Sequence, residues 1–209
     1  MAKKSTVRQP GADRILDAVL DLCAESRWRD VTMEAIAEAA GASMQRVNEF
    51  YPSRPAILAG LSARTDRAVL ASHDFADSNE PCRERLLDVL MRRLDVLSAN
   101  KPAIRSILRD FGSDPATLIC SLPALTKSMA WSLEAAGIGA SGPLGLIRIK
   151  GLGLIYLAAL RVWLEDESPD MSATMARLDK DLKRAEALVT AFPGLKRKGR
   201  VRGEEVPGV

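Results

Sequence analysis

Histidine, cysteine and aromatic residues are scarce in this 209-residue chain, and each scarcity excludes a class of site. The single histidine, His73, excludes sites that need two imidazoles and disfavours catalytic triads and His-rich metal centres. Three cysteines without CxxC spacing indicate neither a disulfide framework nor a zinc site, and they fit a reducing compartment. Aromatic residues make up only 4%, which disfavours the core of a β-sandwich or barrel. We therefore expect a protein without a metal or cofactor, and not an enzyme.

Long apolar runs are also missing. Residues 1–10 are basic and polar with no apolar stretch behind them, unlike a secretory signal. The most apolar segment is Pro143 to Leu164, but three cationic side chains leave an uninterrupted apolar run only from Gly151 to Leu160. That run is too short to span a bilayer. We expect a cytoplasmic protein with no membrane partner, in which this segment forms a core or subunit-interface helix.

Apolar residues recur at steps of three and four through most of the chain, the spacing of amphipathic helices. The predicted helices are Ala12 to Arg27, Thr32 to Ala40, Ser43 to Phe50, Ser53 to Ser72, Pro81 to Ser98, Ala103 to Phe111, Leu118 to Ala136, Pro143 to Leu164, and a last one from Ser168 and Pro169 to near Phe192. Asn100 to Pro102 is predicted as a break between helices. Since no alternating pattern of useful length predicts a strand, the predicted fold class is all-α.

The net charge of +3 is confined to one end of the chain. Residues 196–209 contain five Lys and Arg against two Asp and Glu, so residues 1–195 balance to zero. We predict a disordered basic tail at 195–209 and a flexible basic arm at 1–10, which carries Lys3, Lys4 and Arg8. Residues 1–60 hold eight positive and eight negative side chains, so global charge does not favour nucleic acid.

The segment from Met33 to Phe50 meets the physical requirements of a helix-turn-helix. Ala37 is small where a second helix would cross, Gly41 can take the positive φ of a tight turn, and Val47 and Phe50 can anchor the second helix. The outward residues would then be Ser43, Met44, Gln45, Arg46, Asn48 and Glu49. In a DNA-binding unit such a face enters the major groove, where Gln or Asn pairs with adenine and Arg with guanine. Spacing alone leaves an ordinary helical hairpin equally open.

Three stretches in and after this segment, 32–43, 50–54 and 56–58, resemble the N-terminal domain of TetR-type transcriptional regulators. They read TMEAIAEAAGAS, FYPSR and AIL, and the resemblance covers roughly Ile15 to Leu61. The resemblance implies a three-helix DNA-binding domain at 11–52 and a helical ligand-binding and dimerisation domain at 53–194. It further implies a homodimer on double-stranded operator DNA, acting as a repressor that a small ligand releases.

Carried over position by position, the resemblance implies that Thr32 and Ser43 contact phosphate and that Arg54 contacts the DNA backbone near the start of the fourth helix. The full predicted DNA-contact set is Thr32, Ser43, Met44, Gln45, Arg46, Asn48, Glu49, Tyr51 and Arg54. The chain departs from the family pattern at five positions. Gln45 and Arg46 replace small residues, Asn48 replaces the usual recognition tyrosine, Glu49 adds a negative charge where an aromatic residue or histidine is frequent, and Pro55 replaces a usual acidic residue.

The predicted effector cavity lies among the apolar faces of the C-terminal helices, which indicates an apolar small molecule. Its predicted lining residues are Leu90, Leu94, Trp131, Arg148 and Tyr156. The pairing surface is assigned to the helices near 143–164 and 169–192, which can form a four-helix bundle with their copies.

An alternative function keeps the fold without DNA. The missing tyrosine and the neutral N-terminal charge also fit a TetR-fold protein that binds lipid or another small molecule and has lost DNA binding. An enzyme is disfavoured because the carboxylate clusters at 165–167 and 179–181 fall on predicted helix ends or solvated faces without a partner base.

Overall fold

A computed structural model describes residues 11–72, 80–111 and 114–191. Several sequence predictions lie outside these residues: the arm at 1–10, the tail at 195–209, His73, and the end of the last helix near Phe192. The described residues form nine α-helices and no strand. They are α1 (Ala12–Glu25), α2 (Met33–Ala40), α3 (Met44–Phe50), α4 (Arg54–Ser72), α5 (Cys82–Ser98), α6 (Lys101–Asp110), α7 (Pro115–Ala135), α8 (Gly142–Glu165) and α9 (Ser172–Ala191). A 3-10 turn at Trp28–Asp30, here called the Trp28 turn, joins α1 to α2.

The all-α prediction is confirmed, and most of the predicted helix bounds lie within two residues of those observed. The exceptions have local causes at helix starts. Pro102, predicted to be part of a break, lies in the first turn of α6. Proline is tolerated there because backbone N–H groups in the first turn have no carbonyl partner within the helix. Asp114 extends α7 to Pro115 because its carboxylate accepts a hydrogen bond from the Thr117 N–H at 3.0 Å.

The last helix begins later than the predicted Ser168. The Asp166 carboxylate accepts hydrogen bonds from the backbone N–H groups of Ser168, at 3.1 Å, and Thr174, at 2.8 Å. Met171 has a φ of 52° just before α9 begins at Ser172. The turn that the buried Asp166 organises therefore replaces the first predicted helical residues.

Two main hydrophobic cores form. The first joins α1 to α4 and takes in two residues of α6; it is built on Ile15, Leu16, Val19, Ile36, Val47 and Ile57. The second joins α5, α7, α8 and α9 around Leu90, Leu94, Met129, Tyr156, Trp163 and Leu178. Ile104 on α6 packs against both cores, so α6 lies between them.

The segment predicted as a core or interface helix is α8. It buries Leu152, Tyr156, Ala159 and Trp163 against the second core. By length and composition α8 is also the one helix in the described ranges that could cross a membrane, a test that core helices of soluble proteins also meet. The sequence prediction considered only the run from Gly151 to Leu160, whereas this test considers the whole 24-residue helix.

Candidate nucleic-acid interface and ligand cavity

The α2–α3 unit forms because each helix is capped by a hydroxyl and the turn between them is left-handed. Thr32 Oγ1 accepts a hydrogen bond from the Ala35 N–H, and Ser43 Oγ accepts one from the Arg46 N–H, both at 3.1 Å. Gly41 has φ 61° and ψ 35°, which ends α2 and reverses the chain as predicted. Val47 is fully buried and anchors α3 on the first core.

The outer face of α3 presents polar side chains to solvent. Met44 is 50% exposed, and Gln45, Asn48 and Glu49 are exposed beside it. The Glu49 carboxylate accepts hydrogen bonds from Gln45 Nε2 at 3.2 Å and from Arg46 Nη1 at 2.9 Å. The structure therefore brings these predicted residues to one surface, with the Arg46 and Glu49 charges already paired.

Arg46 is held by a second contact. Its guanidinium carbon lies 4.3 Å from the centre of the Phe50 ring, one turn further along α3. Stacking against an aromatic face stabilises a cation and restricts its rotamers. The guanidinium therefore occupies a defined position at the end of the exposed face.

Tyr51, predicted as a DNA contact, is instead 8% exposed and part of the first core. Its ring lies so close to α4 that a Cβ on Gly60 would stand 2.5 Å from Tyr51 Cε1. Burial, with the nearby Asp13 carboxylate, raises the pKa of the Tyr51 phenol. Its role in this structure is to pack α3 against α4.

Arg54, predicted to contact the DNA backbone, is partly exposed and contacts the Trp28 turn. Its guanidinium donates hydrogen bonds to the carbonyl oxygens of Trp28 and Arg29, the latter at 3.1 Å. The guanidinium carbon also lies 4.3 Å from the centre of the Trp28 ring. These contacts engage Arg54 in holding the Trp28 turn, because that turn presents two carbonyls and an aromatic face to the start of α4.

The Trp28 turn is also tied to α6. The Asp110 carboxylate accepts hydrogen bonds from the Arg29 N–H at 2.7 Å and from Arg27 Nη2 at 3.1 Å. Ser106 Oγ accepts a bond from the Trp28 N–H at 3.0 Å. Asp110 is 2% exposed, so this link between α6 and the α2–α3 unit is buried.

A cavity of about 450 Å³ lies between the two cores, walled by α1 and α4 to α8. Its walls are mainly leucine, isoleucine and phenylalanine side chains from these helices, including Leu61, Leu97, Ile107, Phe111, Leu125 and Leu157. The polar side chains among its lining residues are Ser62, Arg64, Thr65, Arg93, Asn100, Ser121 and Tyr156.

Of the five predicted ligand residues, Tyr156 lines this cavity. Leu90 and Leu94 are fully buried in the second core instead, because the side of α5 that carries them packs against other helices. Trp131 is 51% exposed on α7. Arg148 donates a hydrogen bond to the Gly139 carbonyl at 3.0 Å, near the start of α8. These four residues do not line the cavity.

Arg93 and Asp110 were not predicted from the sequence. Both are charged residues at apolar positions of a helix: Arg93 follows Leu86 and Leu90 at steps of seven and three, and Asp110 follows Ile107 at a step of three. A charge in such a register signals a buried, partnered group.

Within residues 11–72, 80–111 and 114–191, no group of three His, Cys, Asp or Glu side chains could hold a metal ion.

The chain matches no family model and no curated protein. Solved structures do match. A TetR transcriptional regulator from Nitrosomonas europaea ATCC 19718 aligns with a TM-score of 0.65 and 22% identity over 84% of this chain and 97% of its own. A TetR transcriptional regulator from Rhodococcus sp. RHA1 aligns at 0.62, with 16% identity over 82% of this chain and 93% of its own. A TetR-family transcriptional regulator from Streptomyces coelicolor aligns at 0.58, with 16% identity over 88% and 83%. This protein therefore has the fold of TetR regulators, as the resemblance at 32–58 implied.

Proposed function

We propose that the protein is a TetR-type regulator that binds operator DNA as a homodimer, represses transcription from the cytoplasm and is released by a small ligand. The observation that carries the proposal is the exposed outer face of α3, a helix that buries only Val47 and packs on α2 in helix-turn-helix order. A helix presented in this way fits the major groove of DNA.

The side chains of that face have base-reading chemistry. The amides of Gln45 and Asn48 can pair with adenine, the Arg46 guanidinium with guanine, and the Glu49 carboxylate with the cytosine amine. Thr32 and Ser43 remain exposed at the helix starts, where a phosphate would meet backbone N–H groups. We assign base contacts to the α3 residues and phosphate contacts to Thr32 and Ser43.

A homodimer through α8 and α9 is supported by apolar side chains that the monomer leaves in solvent. On α8, Ile147 is 58% exposed and Leu154 is 71% exposed, and Gly151 between them has open space around its Cβ position. On α9, Leu188 is 64% exposed. Exposed apolar side chains that share a helix face typically mark an interface. The helices are those that the sequence assigned to pairing.

The dimer is tested by light scattering after size-exclusion chromatography. Leu154→Lys places a charge in the centre of the α8 face and should yield a monomer. Ile119→Lys is the matched control: Ile119 is 64% exposed on α7, outside the proposed interface, so this variant should stay dimeric. A dimeric Leu154→Lys protein would place the interface elsewhere.

Ligand release is supported by the position of α6. Ile104 and Ile107 of this helix line the cavity, while its end carries Asp110, which holds the Trp28 turn ahead of α2. A ligand that displaces α6 would therefore displace the start of the DNA-binding unit. Coupling of this kind needs two arrangements that ligand and DNA stabilise unequally.

DNA binding is tested by selecting bound sequences from a random duplex library at low salt, followed by affinity measurements on the enriched sequence. Arg46→Gln should lower affinity for the enriched sequence by about 5- to 150-fold, because it removes a base contact worth about 1–3 kcal/mol. Glu49→Gln keeps a side-chain oxygen that can accept from the cytosine amine but removes the negative charge that pairs with Arg46 and repels phosphate, so it should raise affinity and steepen the salt dependence. Glu49→Gln should unfold at the wild-type temperature, because Glu49 is outside the core. Arg46→Gln should cost at most about 1 kcal/mol, the stacking on Phe50.

A second function is favoured by charge. Residues 11–60 carry five arginines against eight Asp and Glu, and the remaining positive charges of the N-terminal part lie in the arm. A surface with this balance repels phosphate. The protein would then be a TetR-fold lipid- or small-molecule-binding protein without DNA. Absence of any enriched sequence, together with lipid detected by mass spectrometry in the purified protein, would favour this second function.

A further inference from the structure

The cavity wall contains two cations, and their partners decide what the cavity can accept. Both Arg93 and Arg64 are among the lining residues, whereas no Asp or Glu is found among the described lining residues. A free arginine in an apolar cavity would attract a carboxylate or phosphate. Whether each of these two guanidinium groups already has a compensating partner therefore determines which ligand charge the cavity accepts.

Arg93 is a buried, hydrogen-bonded cation. It is 5% exposed, and each of its nitrogens has a partner: Nε donates to the Tyr156 hydroxyl at 3.1 Å, Nη2 to Ser62 Oγ at 3.2 Å, and Nη1 to the Asp66 carboxylate. Ser128 Oγ donates to the same carboxylate at 2.5 Å. Asp66 thus compensates the positive charge from behind the cavity wall.

The pKa directions agree with this arrangement. Burial by itself lowers the pKa of Arg93, but Tyr156 and the Asp66 carboxylate outweigh burial and leave that pKa above its usual value. Burial raises the pKa of the Tyr156 phenol. At neutral pH, Arg93 is therefore a compensated cation and Tyr156 a neutral phenol that can donate to a ligand oxygen.

Arg64, the second lining cation, belongs to the surface. Its Nη1 donates to the Asp17 carboxylate at 2.5 Å, and the Asp17 side chain is 63% exposed. Both lining arginines are therefore paired. A ligand anion would be buried without an uncompensated cation to meet it, and a ligand cation would be buried without a facing carboxylate; each burial is unfavourable.

We propose that the cavity selects uncharged ligands with an apolar body and one hydrogen-bonding group, and that Asp66 is the residue that sets this preference by neutralising Arg93. The proposal rests on the ligand-binding role of the cavity proposed above. It does not depend on DNA binding, because ligand binding can be measured without DNA.

The test uses three probes that share one alkyl chain: 1-octanol, octanoate and octylamine. Each is titrated calorimetrically into the protein, octanol below its solubility limit and the two ions below their micelle concentrations. Octanol should bind at least about tenfold more tightly than either ion. Octanoate or octylamine binding as tightly as octanol, or no binding of any probe, would overturn the proposal. DNA binding that fails while octanol binds selectively would overturn the regulator and leave this inference standing.

The role of Asp66 is tested by substitution. Asp66→Asn leaves the Arg93 charge uncompensated beside the cavity, so octanoate should become the tightest of the three probes. Asp88→Asn is the matched control, because it removes a partly exposed carboxylate of α5 whose ion-pair partner, Arg92, does not line the cavity, and it should leave the octanol preference unchanged. An Asp66→Asn protein that still prefers octanol would overturn the role of Asp66.

A double variant covers the case in which Asp66→Asn does not fold. Asp66→Asn with Arg93→Met removes both charges and leaves no buried ion, so it should fold and keep the preference for octanol. A preference for octanoate in this double variant would show that another group binds anions, and would overturn the assignment to Arg93 and Asp66.

Discussion

The Asp110 carboxylate accepts a hydrogen bond from the backbone N–H of Arg29 at 2.7 Å, across a gap of 81 residues in the chain. This bond joins the end of α6, which borders the cavity, to the turn that leads into α2. With the bonds from Arg27 to Asp110 and from Trp28 to Ser106, it links a cavity-lining helix to the turn before the candidate DNA-binding face.

Asp110→Asn should destabilise the protein by about 1–3 kcal/mol, because its amide nitrogen would face the Arg27 or Arg29 donor in a buried site. Urea unfolding measures the change. Asp30→Asn is the matched control: the Asp30 side chain is 64% exposed and lies 3.8 Å from Arg29, so its loss should cost at most about 1 kcal/mol. Equal effects of the two substitutions would contradict the buried link.

Gly60→Ala should destabilise the protein although alanine favours helices by about 1 kcal/mol over glycine. The added Cβ would stand 2.5 Å from Tyr51 Cε1, an overpacking that costs about 1–3 kcal/mol. Gly153→Ala in α8 is the control, since its nearest atom, in the Leu125 side chain, is 3.9 Å away; it should be neutral or stabilising. Tyr51→Leu should reduce the cost of Gly60→Ala, and strictly additive effects would show that the two residues do not touch.

The positive charge of the arm should matter for DNA binding, because residues 11–60 carry an excess of carboxylates. Replacing Lys3, Lys4 and Arg8 with Gln should lower DNA affinity and reduce the slope of log affinity against log salt by about 0.9 for each phosphate that the arm no longer neutralises. Replacing Lys196, Arg197 and Lys198 with Gln removes as many charges from the tail and serves as the control. A slope that changes equally in both variants would assign the effect to net charge alone.

Cys23 should resist thiol reagents while Cys82 and Cys120 react. Cys82 and Cys120 are exposed, whereas Cys23 is buried in the first core, and that burial raises the pKa of its thiol to about 11. Very little reactive thiolate is then present at neutral pH. Iodoacetamide labelling followed by mass spectrometry should find two modified cysteines in the folded protein and three in urea. Early labelling of Cys23 would show that the first core opens readily.

Helix placement followed from sequence because it depends on local rules. Apolar spacing placed all nine described helices, and the caps at Thr32 and Ser43 and the turn at Gly41 are the ones the residue types indicated. The errors at α6, α7 and α9 fall at helix starts, where single side chains such as Asp114 and Asp166 decide the boundary.

Side-chain roles were harder to predict, since a side chain can turn outward or inward from the same backbone position. Tyr51 and Arg54 lie in the segment that resembles DNA-binding domains, yet one packs against Gly60 and the other binds the Trp28 turn. The partners of both residues come from other helices or turns. Sequence spacing carries no information on such partners.

The sequence by itself determined the class of fold and the positions of the helices, including the two of the helix-turn-helix, because helix periodicity and capping involve residues at most four positions apart. Only the tertiary structure decided where the cavity lies, that Asp66 neutralises Arg93, and that Asp110 ties α6 to the Trp28 turn. Arg93 and Asp66 are 27 residues apart, and Asp110 and Arg29 are 81 apart. Contacts over such separations exist only once the helices have packed, and packing also decides which charges are buried together.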